Sequence, residues 1–205
     1  MHKKLLDKFF RENEEGDISA QLIAHMFLSS DNNVALKEEF KGIMEKERDD
    51  FEPERLKAIE AEFESINSAT TYEQIVKILR SYHAPVNQEA LINKALEFEE
   101  DIVPEIIRRY KTNLNDRFVE TSIRILARSR FDTANEIAGY YDDIRSPYAQ
   151  SLALVLLGFK ADESLIPWLI EKYYALKKNY PNESYCEGAY YALLEIEDRH
   201  PRMEE

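Results

Sequence analysis

Apolar residues recur every three or four positions along most of the chain, which is the spacing of one face of an α-helix. In the N-terminal part the pattern predicts a short helix over residues 3–12 and two further helices over 18–28 and 34–47. These helices are amphipathic and rich in charge, and they show no repeat period. The pattern therefore predicts an all-α protein from its first residues.

Two local signals mark the next helix boundaries. Pro53 occupies a position that the first turn of a helix tolerates, so a helix is expected to begin there. Thr70, with Glu73 three positions later, predicts a capping box at the start of the following helix. That helix is expected to end before Pro85, because the residue before a proline avoids the helical conformation.

The C-terminal half is organised as successive pairs of helices. The spacing predicts three first helices, each followed by a short turn and a second helix, and then one last helix. An aspartate suited to capping the second helix lies in each of the three turns. The first helices cover 88–98, 117–128 and 147–158, the last helix covers 185–198, and the aspartates are Asp101, Asp132 and Asp162.

The second helices share a sequence pattern, Pro-x-aliphatic-aliphatic-x-x-Tyr, in which Asn135 replaces the proline of the middle copy. The tyrosines of the pattern are Tyr110, Tyr141 and Tyr173, at intervals of 31 and 32 residues. Helix pairs that repeat at a fixed interval of about thirty residues are typical of stacked helical arrays.

In this pairing and period the chain resembles the HEAT-like, armadillo-type repeat superfamily over residues 86–198. The repeats are shorter than is usual in that superfamily, which leaves an irregular helical array or another short helical repeat as alternatives. The resemblance implies an all-α, right-handed α-α superhelix, a solenoid of stacked antiparallel helix pairs. Residues 85–205 would form the repeats, and residues 1–84 would be N-terminal amphipathic helices, possible degenerate repeats of one continuous domain.

Composition narrows the classes of function. Only five glycines occur, which disfavours the glycine-rich loops that bind phosphates and dinucleotides. A net charge of −13 disfavours nucleic acid and anionic membranes as partners. The sequence has no apolar run long enough to cross a membrane, and its single cysteine, Cys186, cannot form an internal disulfide. These features predict a cytoplasmic protein.

Candidate catalytic and metal-ligating residues do not form convincing sets. Glu197 and His200 have the spacing used by di-iron helices, but no other histidine has a glutamate three positions before it. Cys186 lacks a histidine beside it in sequence and is interpreted as a small buried residue. Acidic clusters such as Glu99-Glu100-Asp101 are interpreted as helix caps and solvated charge. We therefore predict no catalytic residue, no cofactor and no metal.

One segment is basic although the chain is acidic. Residues 102–130 hold seven basic side chains against three acidic ones, and Arg117, Arg124 and Arg128 share one face of a helix. This basic stripe is interpreted as the solvated face of an amphipathic helix, with an acidic partner or a phosphate as the functional alternative.

Aromatic residues concentrate in the C-terminal half, which holds ten of the twelve tyrosines and the single tryptophan. Since second helices usually line the concave surface of HEAT-like solenoids, the resemblance implies a groove. Its expected residues, facing solvent or the groove, are Arg109, Tyr140, Trp168 and Lys172. The alternative is that Trp168 and several tyrosines pack between repeats with their polar ends wet.

The leading hypothesis is a non-enzymatic protein–protein interaction module that binds a protein or peptide partner in this groove. An acidic immunity-type or inhibitor-type protein that neutralises a basic partner is the second hypothesis, motivated by charge and size. A DNA-acting helical-repeat protein that uses the basic stripe is the third. The sequence does not identify the partner or the oligomeric state.

Overall fold

The computed structural model describes residues 2–13 and 52–199. Within these ranges it contains ten α-helices and short 3₁₀ turns, and no strand. The prediction of an all-α chain is confirmed for this part of the chain, while the helices predicted over 18–28 and 34–47 lie outside the described residues. In chain order the α-helices are α1 (His2–Glu12), α2 (Pro53–Asn67), α3 (Tyr72–Arg80), α4 (Gln88–Leu96), α5 (Glu99–Tyr110), α6 (Asp116–Arg128), α7 (Ala134–Tyr140), α8 (Pro147–Lys160), α9 (Ile166–Asn179) and α10 (Glu187–Arg199).

Several helix starts follow the signals in the sequence. Pro53 is the first residue of α2. The side chain of Asp132 accepts a hydrogen bond from the backbone N–H of Ala134 at 3.2 Å. Asp162 accepts from the backbone N–H of Ser164 at 2.7 Å, but it caps a 3₁₀ turn over Glu163–Leu165 rather than α9 itself, which begins at the next residue.

Two predicted boundaries are corrected. The residue that caps α3 is Thr71 rather than Thr70, and Gln74 replaces Glu73 as its partner, because Gln74 is the third residue of a helix that begins at Tyr72. The carboxamide oxygen of Gln74 accepts from the backbone N–H of Thr71 at 3.1 Å. Asp101 lies in the first turn of α5 rather than in the turn before it, because α5 already begins at Glu99.

The chain divides into two compact units that interleave along the sequence. Of the described residues, unit 1 comprises 2–13, 109–114 and 130–199, and unit 2 comprises 52–108 and 115–129. The division of the chain into segments 1–84 and 85–205 stays a prediction.

Unit 2 is organised around α4. This helix contacts α2, α3 and α6, and α3 also contacts α6. Because α4 has neighbours on several sides, most of its apolar side chains are buried rather than those of one face only. The buried apolar residues of α4 are Ala90, Leu91, Ile92 and Ala95.

Unit 1 is organised around the contact between α8 and α10, with α9 packed on α10 and α1 packed on α9. Two glycines allow α8 and α10 to approach closely. A Cβ atom at Gly158 would lie 2.7 Å from the Cα of Ala192, and one at Gly188 would overlap the backbone carbonyl oxygen of Ser151. Residues 153–158 of α8 are all buried, so this helix forms the centre of the unit 1 core.

Candidate functional site

Lys172 and Trp168, two of the predicted groove residues, lie one turn apart on α9. They contact Tyr141 and Asp142, which belong to the 3₁₀ turn that follows α7. The Lys172 ammonium is 5.3 Å from the centre of the Trp168 ring and 5.4 Å from that of Tyr141. The two rings themselves are edge to face, with centres 5.1 Å apart. Lys172 also donates to both carboxylate oxygens of Asp142, at 2.8 and 3.1 Å. The cation is therefore stabilised by two aromatic rings and the carboxylate of Asp142, and the carboxylate of Glu171 lies 3.8 Å away.

Tyr140 and Lys172 do not face solvent, so that part of the prediction is wrong. Each is only 9% exposed. The chain passes from α7 directly into a 3₁₀ turn at Tyr141, and both neighbouring tyrosines are buried. Burial raises the pKa of Tyr140, and the charge of Glu136 adds to the shift. Among the described residues the Tyr140 hydroxyl has no hydrogen-bond partner, while its ring lies 5.2 Å from the Lys111 ammonium.

Because Tyr140 and Lys172 are buried, the four predicted groove residues do not form one exposed surface. Trp168 and Lys172 are in contact, and Trp168 is half-buried. Tyr140 lies beside Lys111 instead, and Arg109 is half-buried near the end of α5. Whether these residues bind a partner stays a prediction.

The basic stripe is held by ion pairs within unit 2. Arg128 and Arg124 both approach the carboxylate of Glu89 on α4, at 2.7 and 3.6 Å. Arg117 lies 3.9 Å from Glu120 and 5.8 Å from the ring centre of Tyr82. Because Glu89 compensates two neighbouring arginines, the stripe offers less positive charge to a phosphate than the sequence suggests.

A buried polar cluster in unit 2 was not anticipated from the sequence. The imidazole Nε2 of His83 is 2.9 Å from the hydroxyl oxygen of Thr121, which also accepts from the Gln88 carboxamide at 3.0 Å. A hydroxyl beside an imidazole is the arrangement that activates a nucleophile. Here both residues are at most 1% exposed, so a substrate cannot reach them, and the cluster joins α4 and α6 to the segment after α3.

A cavity of about 630 Å³ lies in unit 1, at the C-terminal ends of α1 and α9 and the start of α10. We call it the tyrosine cavity. It holds aromatic, acidic and basic side chains together, and its volume is within the range of about 300–1,000 Å³ usual for ligand sites. Its lining residues are Arg11, Glu12, Asn13, Tyr173, Lys177, Pro181, Glu183, Ser184, Cys186, Glu187 and Tyr190.

Aromatic rings from three helices form the wall beside the tyrosine cavity. The Phe9 ring of α1 is edge to face with that of Tyr173, with centres 4.9 Å apart, and Phe10 is 5.4 Å from Tyr190 of α10. Tyr174 lies 6.1 Å from Phe9 and is 43% exposed. The wall therefore continues onto the protein surface.

Two polar side chains of the tyrosine cavity, Lys177 and Cys186, have shifted pKa values. The Tyr173 hydroxyl, 3.2 Å from the Lys177 ammonium, raises the pKa of that lysine and keeps it charged. Burial raises the pKa of the Cys186 thiol, and the nearby charge of Glu187 raises it further. The cysteine is therefore protonated at neutral pH and a poor nucleophile.

The sequence indicated part of this cavity. The concentration of tyrosines after residue 100 includes Tyr173, Tyr174 and Tyr190, but it did not show that they share a wall. The contribution of α1 was missed, although its stripe of Leu6 and Phe9 has the spacing of a buried face. Such a stripe shows that a helix is buried without showing which helix covers it.

Within residues 2–13 and 52–199, no group of three or more histidine, cysteine or acidic side chains could hold a metal ion. None of the helices there has both the length and the apolar character needed to cross a bilayer. Comparison with models of protein families, with curated proteins and with solved structures gives no match.

Proposed function

We propose that this chain is a non-enzymatic protein–protein interaction module whose binding surface is the tyrosine cavity with the exposed tyrosines of unit 1. The observation that supports it is the combination of a 630 Å³ cavity with Tyr174 and Tyr180, which are 43% and 36% exposed. Tyrosine is enriched at protein interfaces because it supplies a large contact area with few rotatable bonds and a polar end.

This surface differs from the groove expected from the sequence but shares α9 with it. Trp168 and Lys172 lie in the first half of α9, and Tyr173 and Tyr174 follow directly. Because the ammonium of Lys172 is buried against two rings and Asp142, it is a structural element of the surface rather than a contact for a partner.

The state of the nucleophilic groups supports a non-enzymatic role. Thr121 and His83 are buried, so a substrate cannot reach them. The pKa of the Cys186 thiol is raised rather than lowered. A binding module needs none of these groups to be reactive. The single cysteine is also compatible with a reducing compartment, and we include a cytoplasmic location in the proposal.

We further propose that the module is a HEAT-like helical array. In unit 2, α4 packs on α6, and in unit 1, α8 packs on α10. These are first helices of successive pairs in the register of the tyrosine pattern, and such neighbours stack in solenoids. The second helices differ in length, with 12, 7 and 14 residues in α5, α7 and α9, which fits an irregular array better than a regular one.

Affinity capture from native cell extract tests the binding surface, with a double variant, Tyr174→Ser with Tyr180→Ser. The matched control is Tyr82→Ser, because Tyr82 is 71% exposed and belongs to unit 2. We expect a specific protein to be captured by the native chain and by the control, and lost by the double variant. Equal capture by all three chains would remove the proposed surface, provided that circular dichroism shows each chain folded.

The acidic inhibitor-type alternative is compatible with the same surface, since the net charge of −13 attracts a basic partner and three glutamates line the cavity. We do not propose DNA binding. The basic stripe on which it depended is compensated by Glu89 at two of its three arginines.

A further inference from the structure

We propose that His83 is a pH-sensitive latch, which fastens the chain between α3 and α4 to α6 at neutral pH and releases it when the imidazole is protonated. The part that is released comprises residues 81–87, which we call the latch segment. The proposal rests on the hydrogen bonds, burial and charges around His83 in unit 2, and it is independent of the binding surface proposed in unit 1.

The hydrogen bonds of the cluster fit a neutral imidazole. Gln88, the uncharged side chain that α4 contributes, donates through its carboxamide nitrogen to the Thr121 hydroxyl oxygen at 3.0 Å. The hydroxyl can then donate its own proton to Nε2 of His83, 2.9 Å away, because an imidazole nitrogen that carries no proton is an acceptor. The hydrogen bonds thus run from Gln88 through Thr121 to His83.

A proton on Nε2 disrupts this arrangement. The imidazolium and the Gln88 carboxamide would both donate to the Thr121 oxygen, and the hydroxyl proton would need another acceptor. Thr121 and His83 are 0% and 1% exposed, so water does not hydrate the new charge while the segment is closed. Because a charge held away from water is strongly unfavourable, protonation favours opening of the latch segment.

The groups that face His83 do not cancel the effect of its burial. Burial lowers the pKa of His83 in the folded chain. The backbone of Ser81 and the carboxylate of Glu62 on α2 oppose this shift. On α6, Arg117 assists the shift and Glu120 opposes it. The closed segment therefore holds the neutral imidazole, and the open segment is protonated at a higher pH.

The latch segment is suited to local opening. Residues 82–84 form no regular secondary structure, and Tyr82 is 71% exposed. A segment with few buried contacts opens at a lower free energy than the helices around it. On the side of α2, the backbone N–H of Ala84 and the side chain of Asn87 donate to the carboxylate of Glu62, at 2.9 and 2.6 Å. Opening of the segment breaks these hydrogen bonds as well.

Hydrogen exchange of single amides, followed by NMR between about pH 5 and 7.5, tests the latch. The reporters are the N–H groups of Ala84 and Asn87, which bond to Glu62 and to the Ala84 carbonyl. After correction for the exchange rates of free peptides, we expect their protection to fall about tenfold for each pH unit between 6.5 and the folded-state pKa of His83.

The buried amide of Ile123 in α6 separates local opening from unfolding of unit 2. We expect Ala84 and Asn87 to be less protected than Ile123, and their exchange to be insensitive to low concentrations of urea, because a local opening exposes little surface. Equal protection of the three amides would show that the segment opens only with the whole unit, and would overturn the latch.

Two variants test the residues of the latch. In His83→Gln, which does not titrate, the fall in protection of the reporter amides below pH 6.5 should be absent. Thr121→Val removes the hydroxyl and keeps the shape, so the same amides should lose protection about three- to tenfold at neutral pH.

The matched control is Thr133→Val, because Thr133 is also 1% exposed, belongs to unit 1, and its hydroxyl makes no hydrogen bond to the described residues. We expect this control to leave the protection of Ala84 and Asn87 unchanged. The same pH dependence in the native chain and in His83→Gln, or the same loss of protection in both threonine variants, would overturn the inference.

Discussion

The guanidinium of Arg128 donates two hydrogen bonds to the carboxylate of Glu89, with Nη1–Oε2 and Nη2–Oε1 distances of 2.7 and 3.1 Å. The second arginine of this site, Arg124, reaches the same carboxylate at 3.6 Å. Glu89 therefore links α4 to two turns of α6 and keeps two half-buried cations from repelling each other.

Replacement of Glu89 by alanine is expected to destabilise unit 2 by about 1–2 kcal/mol, because it leaves both arginines without this carboxylate. Urea unfolding followed by circular dichroism measures the change. In the double variant with Arg128→Ala the loss should be smaller than the sum of the two single losses. Additive losses would show that the pair does not couple α4 to α6.

The stability of the folded chain should fall as the pH drops below 6.5, the ordinary pKa of histidine, because His83 is buried. Burial lowers the pKa of His83 in the folded chain, whereas a backbone hydrogen bond at Ser81 and the charges of Glu62 and Glu120 oppose this shift and Arg117 assists it. The unfolded chain therefore binds a proton at a higher pH than the folded one. The stabilisation is present above pH 6.5, the ordinary value, and is lost as the pH falls towards the folded-state pKa.

Unfolding free energies at several pH values between 5 and 8 test this dependence. The comparison is with His83→Gln, which keeps a polar side chain but does not titrate, so that contributions from the carboxylates cancel. We expect the free energy of unfolding to fall more steeply below pH 6.5 in the native chain than in the variant. If the free energy falls equally steeply with pH in both chains, His83 does not contribute.

The contact between α8 and α10 should not tolerate a side chain at Gly188. Alanine there would force its Cβ against the backbone carbonyl of Ser151, and we expect a loss of about 2 kcal/mol or more, as for an overpacked core. Gly139 is the control, because no atom outside its own helix lies within 4 Å of a Cβ at that position. Gly139→Ala should stabilise the chain by up to about 1 kcal/mol in thermal unfolding. Equal changes in stability in Gly188→Ala and Gly139→Ala would contradict the close approach of α8 and α10.

Lys172 should contribute through its packing more than through its charge. Asp142 is 80% exposed in its side chain and stays hydrated without its partner, so Lys172→Met should change stability by less than about 1 kcal/mol. Lys172→Ala also removes the stem that covers two rings, and a loss of about 2 kcal/mol is expected. Because Trp168 is the single tryptophan, its fluorescence reports on this site directly. Equal losses in both variants would assign the effect to the charge.

Local features of the fold could be predicted from the sequence because they depend on neighbouring residues. Pro53 and Asp132 mark the starts of α2 and α7, and Asp162 marks the 3₁₀ turn that leads into α9, since a cap involves only the next few residues. The sequence predicted Thr70 as the cap of α3, whereas the structure has Thr71. The prediction is wrong by one residue because the two threonines are adjacent and either residue type can cap a helix.

The site could not be predicted to the same extent because it depends on residues far apart in the chain. Arg128 has the spacing of an exposed face, and only the packing of α6 on α4 brings Glu89 to it. Tyr140 was expected to face outward, but the 3₁₀ turn at the end of α7 places it with Tyr141 in the interior. Helical spacing describes one helix at a time, whereas burial depends on all its neighbours.

The packing of α1 on α9 has a consequence for how the chain is made. Asn13, at the end of α1, donates to the Tyr174 hydroxyl across 161 positions of sequence. At a synthesis rate of about 5–20 residues per second, α1 leaves the ribosome roughly ten to thirty seconds before its partner helix exists. During that time the Phe9 ring lacks the rings of Tyr173 and Tyr190, which it contacts in the folded chain. Among the helices that the structure describes, α1 is therefore translated before the others, yet it can dock on α9 only after α9 has emerged.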